Sequence, residues 1–310
     1  MIRTQVQSIN IISTLKLTKK NKDLKTTVSV LLVLLFVNNL YYFIKSFFQV
    51  GILALNYRSI ISYLPMFIGI TGVIIFITSQ YKKSSLLRIY FCYVIALSPI
   101  TCWYYFKLFF ITTEMRPGSF TQIDVFTYIY FIIFLIHITT VIVALNLLTK
   151  ERQVKLAFTN ISGESIAEFN PTIIGIRFAN RLIDLLIILL LVYNFIAFNT
   201  DYFTSEISRQ FTNPITLTLL ELVALIYYYL FMEVIFKTTA GKCATNTIIV
   251  NSSANKASIP QLIGRTFCRL IPFEPFSFLS SSSRGWHDSI TDTYVVDSVL
   301  QEEKMYKNYK

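Results

Sequence analysis

Charge is scarce in this chain, and histidine and paired cysteines scarcer still. Only 15% of the 310 residues are Asp, Glu, Lys or Arg, whereas 54% are hydrophobic. A soluble domain of this length carries more charge, so a soluble all-helical protein is a poor description. There are two histidines and four cysteines, Cys92, Cys102, Cys243 and Cys268. None forms a CxxC pair, which speaks against a disulfide scaffold and against a Cys/His metal site. No glycine-rich nucleotide loop appears, so no cofactor is expected. The only near match, Lys237 to Lys242, lacks the glycine spacing and the hydroxyl residue after the lysine.

What the chain does have is apolar blocks: Val28–Phe48, Ile60–Thr78, Leu86–Phe110, Val125–Leu148, Leu182–Phe198 and Leu217–Phe236. Most are long enough to cross a bilayer as helices. The Leu182 block reaches full length only by starting before Asp184. The expected fold is an all-α polytopic membrane protein with six transmembrane helices and a small cytoplasmic or interfacial C-terminal element. The first apolar run lacks a small-residue cleavage pattern and reads as a retained anchor.

The net charge of +11 follows the same plan. Basic residues crowd the first 27 positions, the second and fourth loops and the tail, while the intervening loops hold only Arg58, Arg116 and Arg209. That alternation is the positive-inside pattern and predicts cytoplasmic N- and C-termini in a bacterial-type inner membrane. No aromatic–basic module accompanies the basic tails, so nucleic acid is not an expected partner.

Four regions follow: a four-helix membrane region at 1–149, a polar cytoplasmic linker at 150–171 ending in Asn170-Pro171, a domain at 172–297 with two spans, and a tail at 298–310. The first half is chemically quiet. Pro65 and Pro99 read as tolerated bends, and His137 reads as a packed neutral histidine ahead of a proton relay. The second half carries the charge. Asp184 follows Arg177 by seven residues and Arg181 by three, so a helix starting early puts all three roughly on one face as an acid–base clamp. Glu233, at the inner end of the sixth span, should lie at the depth of Asp184. Glu221, near the outer end, reads as an interface acid ahead of a second ion station. Thr245–Val250 is expected as a short strand and Ile259–Ile271 as a helix with Arg265 and Arg269 on one face. The proline-bracketed stretch after it, within 259–283, is too short and broken for a seventh span and is expected to be re-entrant or interfacial. His287 beside Asp288 suggests structure rather than catalysis, since no nucleophile accompanies them.

These residues, taken in order, resemble the RDD family of membrane proteins. Arg177, Ala179 and Asp184 are similar to its arginine and first aspartate. Thr239-Ala240-Gly241-Lys242 resembles its Thr-Pro-Gly-Lys segment, with alanine in place of proline. Arg265 and Arg269 correspond to its basic helix, and His287-Asp288 with Thr293, Tyr294, Val295 and Val296 to its closing pattern. The resemblance covers about residues 170–297 and leaves 1–149 outside. It implies a membrane protein for which transport is suspected. The expected function is proton- or monovalent-cation-coupled transport with Asp184, Glu233 and Glu221 as ion or proton sites. The alternative is a non-transporting assembly or accessory protein that docks a membrane partner through residues 1–149. No metal set or catalytic pair points to an enzyme.

Overall fold

A computed structural model describes residues 57–79, 83–115, 122–149, the strands between 152 and 169, 171–200, 213–253, 255–274, 277 and 284–300. The first expected span, Val28–Phe48, lies outside the described residues.

Three helices from the first half come first in order: α1 (Tyr57–Thr78), α2 (Ser85–Met115) and α3 (Gln122–Thr149). A long helix α4 (Ile174–Thr200) and a second, α5 (Pro214–Tyr229), follow in the charged half. Asn213 caps α5 by accepting from the Ile215 N–H, and Pro214 at the first position needs no partner for its missing N–H. The helix runs on as a π-helical turn, Leu230–Ile235, in which Met232 and Glu233 are buried. Among the described residues three segments are long and apolar enough to cross a membrane: Ser85–Phe109, Thr127–Thr149 and Pro214–Ile235. Six such spans are not established; Leu64–Thr78 is apolar but shorter. The outward faces fit a hydrocarbon solvent. Ile129, Ile132, Ile136, Leu219 and Val223 are exposed, as are Leu182, Leu185 and Leu189 on α4.

The chain is not all-helical. The stretch expected as a plain linker contains β1 (Arg152–Val154), β2 (Leu156–Ile161) and β3 (Glu164–Phe169). Strands β2 and β3 form an antiparallel hairpin. The C-terminal strand β5 (Thr293–Leu300) is the centre of a second sheet, between β1 and β4 (Thr247–Asn251), antiparallel to both. Strand β5 therefore runs past 297 into the expected tail. A short helix α6 (Ala240–Thr245) precedes β4, and Asn246 ends it in the left-handed conformation at φ 61°.

Helix α7 (Ile259–Cys268) starts at Ser258, whose side chain forms a capping box with Gln261. Ten residues span roughly 15 Å, about half a bilayer core. Its amphipathicity is inverted. Leu262, Arg265, Thr266 and Arg269 point inward, while Ile259, Ile263, Phe267 and Ile271 recur every fourth residue on the exposed side. Helix α8 (Trp286–Ile290) closes the set.

The main core lies where α2, α3, α4 and α5 meet, around Phe91, Ile95, Leu145, Leu191, Tyr228 and Met232. Helix α6 wedges against α2 and α4 at one end of it. The approach to α4 is so close that a Cβ on Gly241 would lie 2.3 Å from the Asn180 carbonyl oxygen. That contact is backbone and cannot swing away. Gly241→Ala is therefore expected to cost about 3 kcal/mol through overpacking and to lower the melting temperature in detergent. Gly175→Ala, where a Cβ meets nothing within 4 Å, should leave it unchanged or slightly raised.

Candidate functional site

The inward face of α4 repeats at helical spacing through Arg177, Asn180, Asp184, Ile187, Ile188 and Leu191, all buried. Its first three members meet polar partners: Arg177 pairs with Asp288 of α8, Asn180 donates to Thr247 of β4, and Asp184 accepts from Tyr228 of α5 and from the start of α6. Asp184 is 2% exposed and its oxygens are satisfied by neutral donors. Tyr228 Oη and the Gly241 N–H donate to Oδ1, each at 2.8 Å, and Thr239 Oγ1 donates to Oδ2 at 2.8 Å. Thr239 in turn accepts from the Lys242 N–H as the cap of α6. The Ala240 N–H donates to Tyr228 Oη at 3.0 Å. A proline here, as in the pattern the segment resembles, has no N–H to give.

The arginines do not clamp Asp184. Arg177 pairs with Asp288. Arg181 donates to Tyr229 Oη at 3.0 Å, and its guanidinium sits 5.4 Å from that ring's centre. Helical spacing does put all three α4 residues in one region, but the stronger carboxylate partner for Arg177 comes from the far end of the domain. The expected self-paired clamp is thus replaced by a link between α4 and α8.

Glu233, fully buried, is the hub of the ionic part. Lys242 Nζ and Arg269 Nη2 each lie 2.7 Å from its Oε1, and Arg265 Nε is 3.7 Å from Oε2. Arg265 also bonds Asp288 and Thr293. The network thus runs Lys242, Glu233, Arg265, Asp288, Arg177, tying α4, α5, α6, α7, α8 and β5 together. Arg269 adds a cation–π contact, 3.8 Å over Tyr229. The buried cations Arg177, Lys242, Arg265 and Arg269 are balanced by Asp184, Glu233, Glu274 and Asp288. Balance is what allows so many charges to leave water together. A cavity of about 40 Å³ remains among them, lined by Arg181, Asp184, Lys242 and Glu274. That is room for about one water.

His287 faces Glu274 through Nδ1, and its Nε2 is 3.6 Å from Asp288. Burial, reinforced by Arg265, Arg269 and Arg177, holds His287 well below its ordinary 6.5, so the ring is neutral. Burial pushes Glu274 above the usual carboxylate range, against the pull of Arg181 and Arg269. Burial likewise lowers Lys242, with Glu233 opposing.

Glu221 is exposed on α5 and takes no part in the network. His137 is half-buried on α3, also outside it. Sequence reasoning missed Tyr228, Thr239 and Gly241 as the donors to Asp184, and Glu274 as the partner of His287. Thr239 and Gly241 stood in a segment already singled out. Tyr228 and Glu274 carried no local signal, being one tyrosine among 19 and one acid in an apolar stretch. Among the described residues no group of His, Cys, Asp and Glu could hold a metal ion.

Residues 172–292 match the family model described as the RDD family. No curated protein matches the chain. No solved structure matches it either.

Glu233→Gln would leave Lys242, Arg265 and Arg269 facing one another without their carboxylate, an expected loss of about 3–5 kcal/mol. Arg177→Ala should cost less, because Asp288 keeps Arg265. Thermal unfolding in detergent that reverses this order would count against the hub. His287 gives a pH signature. Its folded pKa lies below its unfolded one, so between the two the unfolded chain binds more protons. Its contribution is present above about pH 6.5 and is lost as pH falls. Glu274 acts in the opposite sense, so the diagnostic is a difference: melting temperature should fall more between pH 7 and pH 5.5 in the wild type than in His287→Gln. Parallel curves would remove His287 as the source.

Proposed function

We propose, with residues 172–292 as an RDD-family domain of a membrane protein, that the chain couples protons or monovalent cations to movement across the membrane, and that Asp184 is the group that changes charge. The observation that carries this reading is a division of labour among the buried acids. Glu233 and Asp288 are ion-paired, and protonating either would strand cations in a dry site. Asp184 is bound only by two hydroxyls and one N–H. A hydroxyl can reverse its role and accept from a protonated carboxyl, so Asp184 can gain or lose a proton without dismantling an ion pair. It borders the small cavity, which has room for a water beside the carboxylate. In this reading Glu233 is scaffold rather than carrier, and Glu221 is an acid of the outer interface. The positive-inside pattern favours an arrangement with the cluster at the cytoplasmic end of the helices, in an inner membrane.

A second reading has its own support. Cys92 Sγ and Cys243 Sγ are 3.7 Å apart, and Arg88 Nη2 donates to Asn246 Oδ1 at 2.6 Å, so α2 is fastened to the family domain. A domain bolted to an otherwise apolar helix set also suits an assembly factor that presents residues 1–149 to a membrane partner.

The test is reconstitution in sealed vesicles, with proton and Na⁺ or K⁺ flux recorded under imposed gradients. Wild-type protein should carry a coupled flux, and Asp184→Asn, which keeps the shape and an acceptor for the same donors, should abolish it. Undiminished flux in a well-folded Asp184→Asn sinks Asp184 as the carrier. A folded wild type that passes no ion over a broad pH range sinks transport and leaves the assembly reading.

A further inference from the structure

A second cavity, of about 540 Å³, is lined by Lys242 and Cys243 of α6 and does not include Asp184. It lies where several segments end together: the start of α2 at Arg88, the end of α3 at Asn146 and Thr149, the π-turn and its exit at Ile235 to Thr238, and β4 at Thr247 to Ile249. Its volume is within the range of small-ligand sites. Among the described residues the charged lining is of one sign, consisting of Arg88, Lys237, Lys242 and Lys256 with no Asp or Glu. Lys242 is already committed to Glu233, so three cations line the space without an acid of their own among the described residues of the wall.

Arg88 is the decisive member. It is 1% exposed, as deeply buried as any arginine in the described chain. Its Nε donates to the Ser84 carbonyl and its Nη2 to Asn246. Among the described residues, Nη1 has no hydrogen-bond partner. A buried guanidinium with an unmet donor and no carboxylate is costly. The same fork geometry is suited to a phosphate oxygen. Lys237 and Lys256 are exposed at the rim, and Lys237 is held at φ 57° just after the π-turn. Asn146, Thr149 and Thr238 supply neutral hydrogen-bonding groups, while Ile235, Phe236, Ile248 and Leu262 make the remaining wall apolar.

We propose that this cavity binds a phosphate group, with Arg88 on its floor and Lys237 and Lys256 closing over it. The phosphate belongs either to an anionic lipid headgroup, whose acyl chains would follow the apolar wall at the helix ends, or to a free phosphate or small phosphorylated solute. The site joins α2 to α6 and β4, so an occupant would rigidify the junction between the N-terminal helices and the family domain. It does not depend on Asp184 carrying a proton.

The experiment uses the full chain purified in a neutral sugar detergent. Binding is followed by thermal shift and native mass spectrometry against dioctanoyl phosphatidic acid, inorganic phosphate and, as a phosphate-free control, dioctanoylglycerol. The expected result is saturable binding of one or both phosphate probes and none of the control. Lipid binding alone identifies a headgroup; inorganic phosphate binding shows that the phosphate suffices. The rim variant Lys237→Gln/Lys256→Gln, which alters only exposed side chains, should weaken the dissociation constant roughly tenfold. Arg88→Gln should abolish binding, and the rim variant keeps the test decisive if Arg88→Gln fails to fold. The pair Lys19→Gln/Lys20→Gln removes the same charge from the N-terminal segment. An equal loss in that pair overturns the proposal in favour of bulk electrostatic attraction. Binding unchanged in the rim variant, or no binding of either phosphate probe, overturns it outright.

Discussion

Glu233 depends on three cations, and much of the domain depends on Glu233. A carboxylate with no exposed surface can remain ionised only where its lost hydration is replaced by close opposite charge. Lys242 comes from α6, and Arg265 and Arg269 come from successive turns of α7. Satisfying this one acid therefore fixes where two further helices sit. Arg265 then has a side left for Asp288, which fixes α8, and Asp288 recruits Arg177 from α4. Net charge inside the cluster is close to nil, which is the condition for building it beside hydrocarbon. Its net contribution to stability is small compared with the cost of removing a member. The network accordingly acts as a constraint on geometry more than as a store of energy.

That constraint explains the inverted helix α7. In water, a helix with arginines on one side turns them outward. Here the arginines are held inward by Glu233 and Asp288, and the Ile259, Ile263, Phe267, Ile271 stripe is left on the outside. Such a stripe is tolerable at a membrane boundary, where the solvent is itself apolar. The exposed leucines of α4 obey the same logic, with Phe178, Leu182 and Leu185 outside and the polar face inside.

Much of this was legible in the sequence, and the gaps have physical causes. The apolar blocks anticipate every long helix described, because hydrophobic length is a property of contiguous residues. Four-residue spacing brings Arg265 and Arg269 to one face, and both reach Glu233. Spacing failed for Asp184. It identifies which side chains share a face, yet it cannot rank a neighbour one or two turns away against a partner brought in by tertiary packing. Arg177 left Asp184 for Asp288, and Tyr228, Thr239 and Gly241 took its place. The stretch at 152–169 carries no strong strand signal because its segments are short and polar residues interrupt them, and β1 exists by pairing with β5, near the other end of the described chain. Arg88 stands in the sequence as one of the basic residues of the second loop, and nothing local shows that it is buried.

Strand β5 occupies the middle of its sheet although it is the last element described in chain order, and Asp288 lies just upstream of it. Arg177 on α4 and Glu233 just after α5 therefore precede in the chain the residues that pair with them, Lys242, Arg265, Arg269 and Asp288. The charge network is thus completed by elements that come late in chain order. The centre of the sheet and the pairs to Asp288 are both supplied within one short stretch, so the last described residues complete the sheet and the charge network together.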